Sequence, residues 1–210
     1  MSFKQLRKTR VEKTKNLLNN IKDKTDKTSK DIKEYVESFL QQDIINWDLV
    51  IEDLTSFIYK SLKETYLLTL NGLYEIYDIS HPDKDKKVKD ISREIIDNLT
   101  YQGDNKTVQQ RIEEHCEDYQ VMDITSDTRI TYDMLKILDT ETISVMNSTI
   151  KNETKSEFEY AAVEETACCD ICLDHMDEGV VLENDFEAPP YHPNCECIAV
   201  YFSAEEVENN

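Results

Sequence analysis

Apolar residues recur at helical spacing over most of the first 150 positions of the chain. Residues 3–24 carry a thin stripe: Phe3, Leu6, Leu17, Leu18 and Ile21. Residues 30–42 carry a fuller one, with Ser29 placed to cap and Ile32, Tyr35, Val36, Phe39 and Leu40 on one face. The spacing predicts a long helix from Trp47 to Tyr77 through Ile51, Leu54, Ile58, Leu62, Tyr66, Leu70 and Leu73. Phe57, Leu67, Leu68 and Ile76 widen its face, so it must pack on more than one side. His81-Pro82-Asp83 ends it, and the lysine-rich stretch to Lys89 reads as a loop. A further helix places Val88, Ile91, Ile95 and Leu99 on one side. After the break at Gly103-Asp104-Asn105, Thr107 and Gln110 form a capping box that opens a helix through Val108, Ile112, Cys116 and Tyr119. The last long helix runs from Thr125-Ser126-Asp127 to about Asn152, with Tyr132, Leu135, Leu138, Thr142, Val145 and Thr149 inward.

The period then changes. Phe158, Tyr160 and Ala162 alternate with Glu157, Glu159 and Ala161, which predicts a half-buried strand. Val180–Leu182 and Ile198–Phe202 read as two more short strands. The acidic stretch 203–210 lacks the apolar content to order itself and is expected to be disordered. The fold class is therefore α+β and mostly α, with long N-terminal helices followed by a small antiparallel sheet.

Charge divides the chain further. The formal net charge is −20, which disfavours a protein whose whole surface coats nucleic acid. Residues 1–33 nevertheless hold eleven Lys/Arg against four Asp/Glu, a local +7 that leaves −27 on the rest. They read as a basic N-terminal arm, ahead of a helical region at 34–100. The arm's contact is a solvated face, DNA, an acidic partner or the protein's own body. No apolar leader and no run of eighteen apolar residues is visible, so neither secretion nor a membrane span is expected.

Candidate chemistry is concentrated near the C-terminus. Five of the six cysteines and two of the four histidines lie between Cys168 and Phe202. Cys169 and Cys172 form a C-x-x-C knuckle. His192, Cys195 and Cys197 follow after room for one tight hairpin. Four N/S donors in a tetrahedron make a structural zinc site, and thiolate with imidazole favours zinc over magnesium or calcium. Cys195 and Cys197 would face opposite ways in an extended segment, so only one of them is expected to bind. Cys168 and His175 look like spares. Reduced buried thiols, or a disulfide between the two halves, are the other readings of the same residues.

Two partial motifs point towards enzymes. His115-Cys116-Glu117 followed by Cys169-x-x-Cys172 imitates a zinc deaminase signature. Asp174-His175 after the C-x-x-C is similar to zinc-supported HNH nucleases, with His175 as the general base. A zinc-dependent enzyme acting on nucleic acid is thus the alternative class.

The segment Pro190, His192, Pro193, Asn194, Cys195, Cys197, preceded by Cys169, Cys172 and the turn glycine Gly179, resembles the phage Mu protein F-like head morphogenesis family, the minor head proteins of tailed bacteriophages. That family has Arg between its last two cysteines, where this chain has Glu196. It also has an Arg-Thr-Glu helix, where this chain has Asp139-Thr140-Glu141 followed by Asn147. Gly103 and the helix capped at Thr107 are a third match. The resemblance spans residues 101–202 as one module. It implies a minor head protein of a tailed phage or prophage, located in the virion head and assembled in the host cytoplasm. The implied role is in head assembly near the portal, and in DNA packaging or delivery, by binding without catalysis. Its partners would be the portal protein and other head proteins, with DNA reached through the basic arm, and neither a membrane nor a small-molecule substrate.

Overall fold

The computed structural model describes residues 1–79, 91–101, 103–164 and 169–208. Seven helices of four residues or more and three strands follow one another in these segments. They are α1 (Phe3–Phe39), α2 (Trp47–Tyr77), α3 (Arg93–Asp97), α4 (Val108–Val121), α5 (Asp127–Thr154), β1 (Tyr160–Glu164), α6 (Asp170–Asp177), β2 (Val180–Leu182), β3 (Ile198–Phe202) and α7 (Ala204–Glu208). The helix end at His81-Pro82-Asp83, the loop to Lys89, Val88 and Cys168 lie outside the described residues.

Caps set most of the helix starts. Ser2, Asn46, Ser92, Thr107 and Ser126 each accept a backbone N–H three residues on. The capping box at Thr107 and Gln110 forms as predicted. Ser29, expected to cap, does not: its hydroxyl donates to the carbonyl of Thr25 inside an unbroken α1. Neither Gly nor Pro interrupts residues 25–29. Thr25, Ile32 and Val36 are all buried, so tertiary packing carries the helix through. Asp78, in the left-handed region at φ 59°, terminates α2.

Helix α2 is the central element and packs against α1, α4 and α5. One apolar core runs continuously from Leu17 on α1 to Tyr201 on β3. Two expected stripes need correction at single positions. In α5, Leu138, Thr142, Val145 and Thr149 are buried as expected, but Tyr132 is 60% exposed, and Ile130 and Met134 take the core side of the first turns. In the short α3, Ile96 and not Ile95 points inward.

The sheet has strand order β2-β1-β3 and is antiparallel throughout. Ala161 is opposite Val181 on β2 and Tyr201 on β3. One face joins the main core through Ala161, Val163, Ala199 and Tyr201. The other, with Ala162, Val200 and Phe202, is covered by Phe3, Leu6 and Val11 of α1 and by Val207 of α7.

Residues 1–33 are therefore not an arm. Leu18, Ile21 and Ile32 are fully buried, and the boundary at 33 falls inside α1. Arg10 is 6% exposed. Its guanidinium donates to the carbonyl of Tyr201 at 2.8 Å and grips the Glu206 carboxylate with two bonds of 2.8 and 2.7 Å. Arg7 pairs with Glu164 at 2.5 Å, and Lys22 with Glu196 at 2.6 Å. The basic helix is thus a counter-ion for the acidic C-terminal module. That pairing also orders residues 203–208, of which Ala204–Glu208 form α7 where disorder was expected. The boundary at 100 divides nothing either, because the buried Ser144 hydroxyl donates to the Leu99 carbonyl across it at 3.1 Å. Among the described residues no helix is long and apolar enough to cross a membrane.

Candidate metal centre

Cys169 precedes the first residue of α6, and the N–H of Leu173 bonds to its carbonyl at 3.0 Å. This turn brings the two C-x-x-C thiols together, Sγ to Sγ 3.4 Å. The opposing knuckle is His192-Pro193-Asn194-Cys195. The Cys195 N–H closes it on the His192 carbonyl at 3.1 Å, and Asn194 turns the chain at φ 63°. Asparagine tolerates that left-handed conformation better than most residues.

The two knuckles meet. His192 Nε2 lies 3.0 Å from Cys169 Sγ and 3.3 Å from Cys172 Sγ, and Cys172 Sγ lies 3.7 Å from Cys195 Sγ. In a tetrahedral zinc site, bond lengths of about 2.3 Å to sulfur and about 2.0 Å to nitrogen give S···S edges near ~3.8 Å and S···N edges near ~3.5 Å. The observed separations approach those edges. Two triads satisfy mutual ligand spacing: Cys169, Cys172 and His192, and Cys172, Cys195 and Cys197. Cys172 belongs to both. These residues can hold a metal ion.

The surroundings fix the donors. His192 Nδ1–H donates to the carbonyl of Pro193 at 2.8 Å, which leaves the Nε2 lone pair facing the sulfurs. The same bond raises the pKa of the imidazole. Burial pushes the Cys172 thiol up to about 12. The hydrogen bond from the Cys197 thiol holds Cys195 down at about 5, so one thiolate is favoured within a buried group. Cys197 is raised correspondingly by sharing its proton with Cys195. The backbone amide of Cys172 lowers Cys169.

Helix α5 holds the second knuckle from behind. Thr140 Oγ1 donates to the carbonyl of Lys136 and accepts the N–H of Asn194 at 3.0 Å. Asn147 is fully buried. Its Nδ2 donates to the carbonyl of Cys197, and its Oδ1 accepts the N–H of Ala199, each at 3.0 Å. Glu141, 1% exposed, accepts from the Tyr101 N–H and from Arg111 on α4. Burial raises its pKa to about 7 despite the guanidinium beside it.

The expectation that Cys195 and Cys197 diverge is not met. Both are buried in the same group, at 1% and 0% exposure. Strand β3 begins only at Ile198, and the turn at Asn194 removes the alternation on which the expectation rested. His175 stacks on Tyr191 with centroids 3.7 Å apart and takes no part in either triad. His115 stacks on Tyr119, and Cys116 is buried on α4; both are outside the candidate metal groups among the described residues. Glu196, where the resembled family has Arg, is the partner of Lys22. The stretch holding Thr140 and Asn147 is singled out by the resemblance alone; their bonds to the knuckle, like that of Arg111 to Glu141, are long-range and have no signature in local spacing.

No protein-family model, curated protein or solved structure matches the chain.

Proposed function

We propose that the chain is a minor head protein of a tailed phage or prophage, acting by binding during head assembly near the portal. The observation that carries this reading is the convergence of its motif residues. Thr140 and Asn147, from the helix resembling the Arg-Thr-Glu element, hold the backbone of Asn194, Cys197 and Ala199 in the His-Pro-Asn-Cys-Glu-Cys segment. That contact gives the two motifs a physical reason to occur together. In this reading Cys169, Cys172, His192 and one of Cys195 or Cys197 hold a structural zinc. Five N/S donors exceed the four such a site needs, and His175 is occupied by Tyr191, which supports a closed site over a catalytic one.

The partners would be the portal protein and other head proteins. Arg7, Arg10 and Lys22 are engaged with the protein's own acids. A DNA contact by α1 would fall to exposed lysines such as Lys4, Lys8, Lys30 and Lys33.

The test is mass spectrometry of purified virions from the source phage or induced lysogen, with cross-linking before disruption. The chain should be present in heads at low copy and cross-linked to the portal protein. Its absence from particles would overturn the reading.

A further inference from the structure

The two edges of the sheet are treated differently. The bond from Glu183 N–H to the Glu159 carbonyl, at 2.7 Å, sets the phase of the β1–β2 ladder. Antiparallel residues alternate between hydrogen-bonded and non-bonded pairs. Ala161 and Val181 are therefore a bonded pair, whereas Val180 and Leu182 turn their N–H and C=O groups away from β1. The same phase turns Cys197, Ala199 and Tyr201 away from β1 on the β3 side.

On that side the outward groups are closed by side chains. Asn147 takes the Cys197 carbonyl and the Ala199 N–H. The Tyr77 hydroxyl accepts the Tyr201 N–H at 3.2 Å, and Arg10 donates to the Tyr201 carbonyl. At β2 no strand lies beyond, among the described residues, and Leu182 is 49% exposed. An open strand edge is a template for another chain.

Charge selects the occupant. No Lys or Arg occurs after Lys155, while fifteen Asp and Glu do. Glu178, Glu183 and Asp185 flank β2 itself, with Lys151 of α5 3.8 Å from Glu183 as a counter-charge, and α6 just before it carries Asp170, Asp174 and Asp177. A second copy of this edge would be repelled. A cationic strand would be attracted and would find backbone groups that no other strand pairs with among the described residues.

We propose that the β2 edge is a docking site for an extended, lysine- or arginine-rich segment of a partner protein, which adds as a fourth strand beside Val180–Leu182. Main-chain bonds would supply affinity, and the acidic flanks would choose the partner. The inference stands independently of the head-protein reading.

Leu182 offers a clean test. Its φ is −64°, the angle proline imposes, and its N–H is not used by β1. Leu182→Pro therefore removes an outward donor without breaking the existing ladder or changing net charge. The probe is a soluble peptide alternating lysine with threonine and valine, measured on the full chain by titration calorimetry and site-resolved hydrogen exchange. Binding should slow exchange at Val180 and Leu182, and Leu182→Pro should weaken it roughly ten-fold, as expected for one backbone donor lost from a strand contact. Thermal unfolding of the variant checks that the fold is intact. The wild-type exchange measurement decides the matter if it is not. No binding, unchanged exchange at both residues, or equal affinity of a folded Leu182→Pro protein would overturn the proposal, the last by reducing the contact to charge attraction alone.

Discussion

The side-chain amide of Asn147 pairs with the main chain at Cys197 as a neighbouring strand would, donating to its carbonyl at 3.0 Å. Its oxygen takes the N–H of Ala199 in the same way. One buried residue of α5 thus satisfies two backbone groups at the point where the thiol-bearing segment becomes β3. Asn147→Ala would orphan both groups. A buried unsatisfied polar group costs about 1–3 kcal/mol, so a loss of about 2–4 kcal/mol is expected. For a chain of this size that lowers Tm by roughly 5–12 °C in a calorimetric scan. Asn71→Ala, at an exposed site on α2, should leave Tm within about 2 °C of wild type.

Cys172 is common to both metal-ligand triads, so its loss should be felt whichever fourth donor is used. Protein purified without chelator should contain about one zinc per chain, and Cys172→Ser almost none. Because the unfolded chain has no preformed site, the lost metal should also appear as lost stability. Cys116→Ser puts a hydroxyl in an apolar part of α4 and should cost about 1–2 kcal/mol, with zinc content unchanged. Equal zinc content in Cys172→Ser and wild type would remove Cys172 from the site.

Chelation should act locally. A strong chelator is expected to accelerate amide exchange over 169–202 and leave α2 protected, since α2 is tied to α1, α4 and α5 by apolar burial. Exchange indifferent to zinc would return the cluster to a set of reduced core thiols.

Deleting residues 1–33 should abolish cooperative unfolding. The deletion removes Leu17, Leu18, Ile21 and Ile32 from the core, at about 1.5–3 kcal/mol each, and uncovers the sheet face under Phe3 and Leu6. The sum is comparable to the whole stability of a typical domain, about 5–15 kcal/mol. A truncated chain that melts in a sharp two-state transition would show that the C-terminal module folds without α1.

Acid should loosen the contact between α7 and α1. Burial pushes Glu206 up, but hydrogen bonds from Arg10 and Ser203 outweigh it and hold its pKa below the ordinary 4.5. A carboxylate whose folded pKa is depressed adds stability above its unfolded value, and that contribution is lost as pH falls through the folded value. Between pH 4.5 and its lower folded pKa, Glu206→Gln should flatten the fall in stability relative to wild type, as read by denaturant titration at each pH. Parallel curves for the two proteins would mean that Arg10 does not stabilise the ionised form.

The sequence by itself determined the local elements. Caps at Thr107 and Ser126, the apolar period of α2 and the β-patterned run Ile198–Phe202 are each written within a few residues, because a helix or strand is specified by its own side-chain period and end groups. The knuckle spacing likewise pointed to Cys169, Cys172 and His192 gathering with one of Cys195 and Cys197, and the turn at Asn194 brought in the other. Tertiary structure alone decided what faces what. Arg7, Arg10 and Lys22 of α1 turn towards the C-terminal module because Glu164, Glu206 and Glu196, more than 150 positions later, arrive beside them. The register of the sheet left one edge closed by Asn147, Tyr77 and Arg10, and the other without a neighbouring strand among the described residues. Such pairings depend on the fold of the whole chain, and nothing in the spacing of neighbouring residues encodes them.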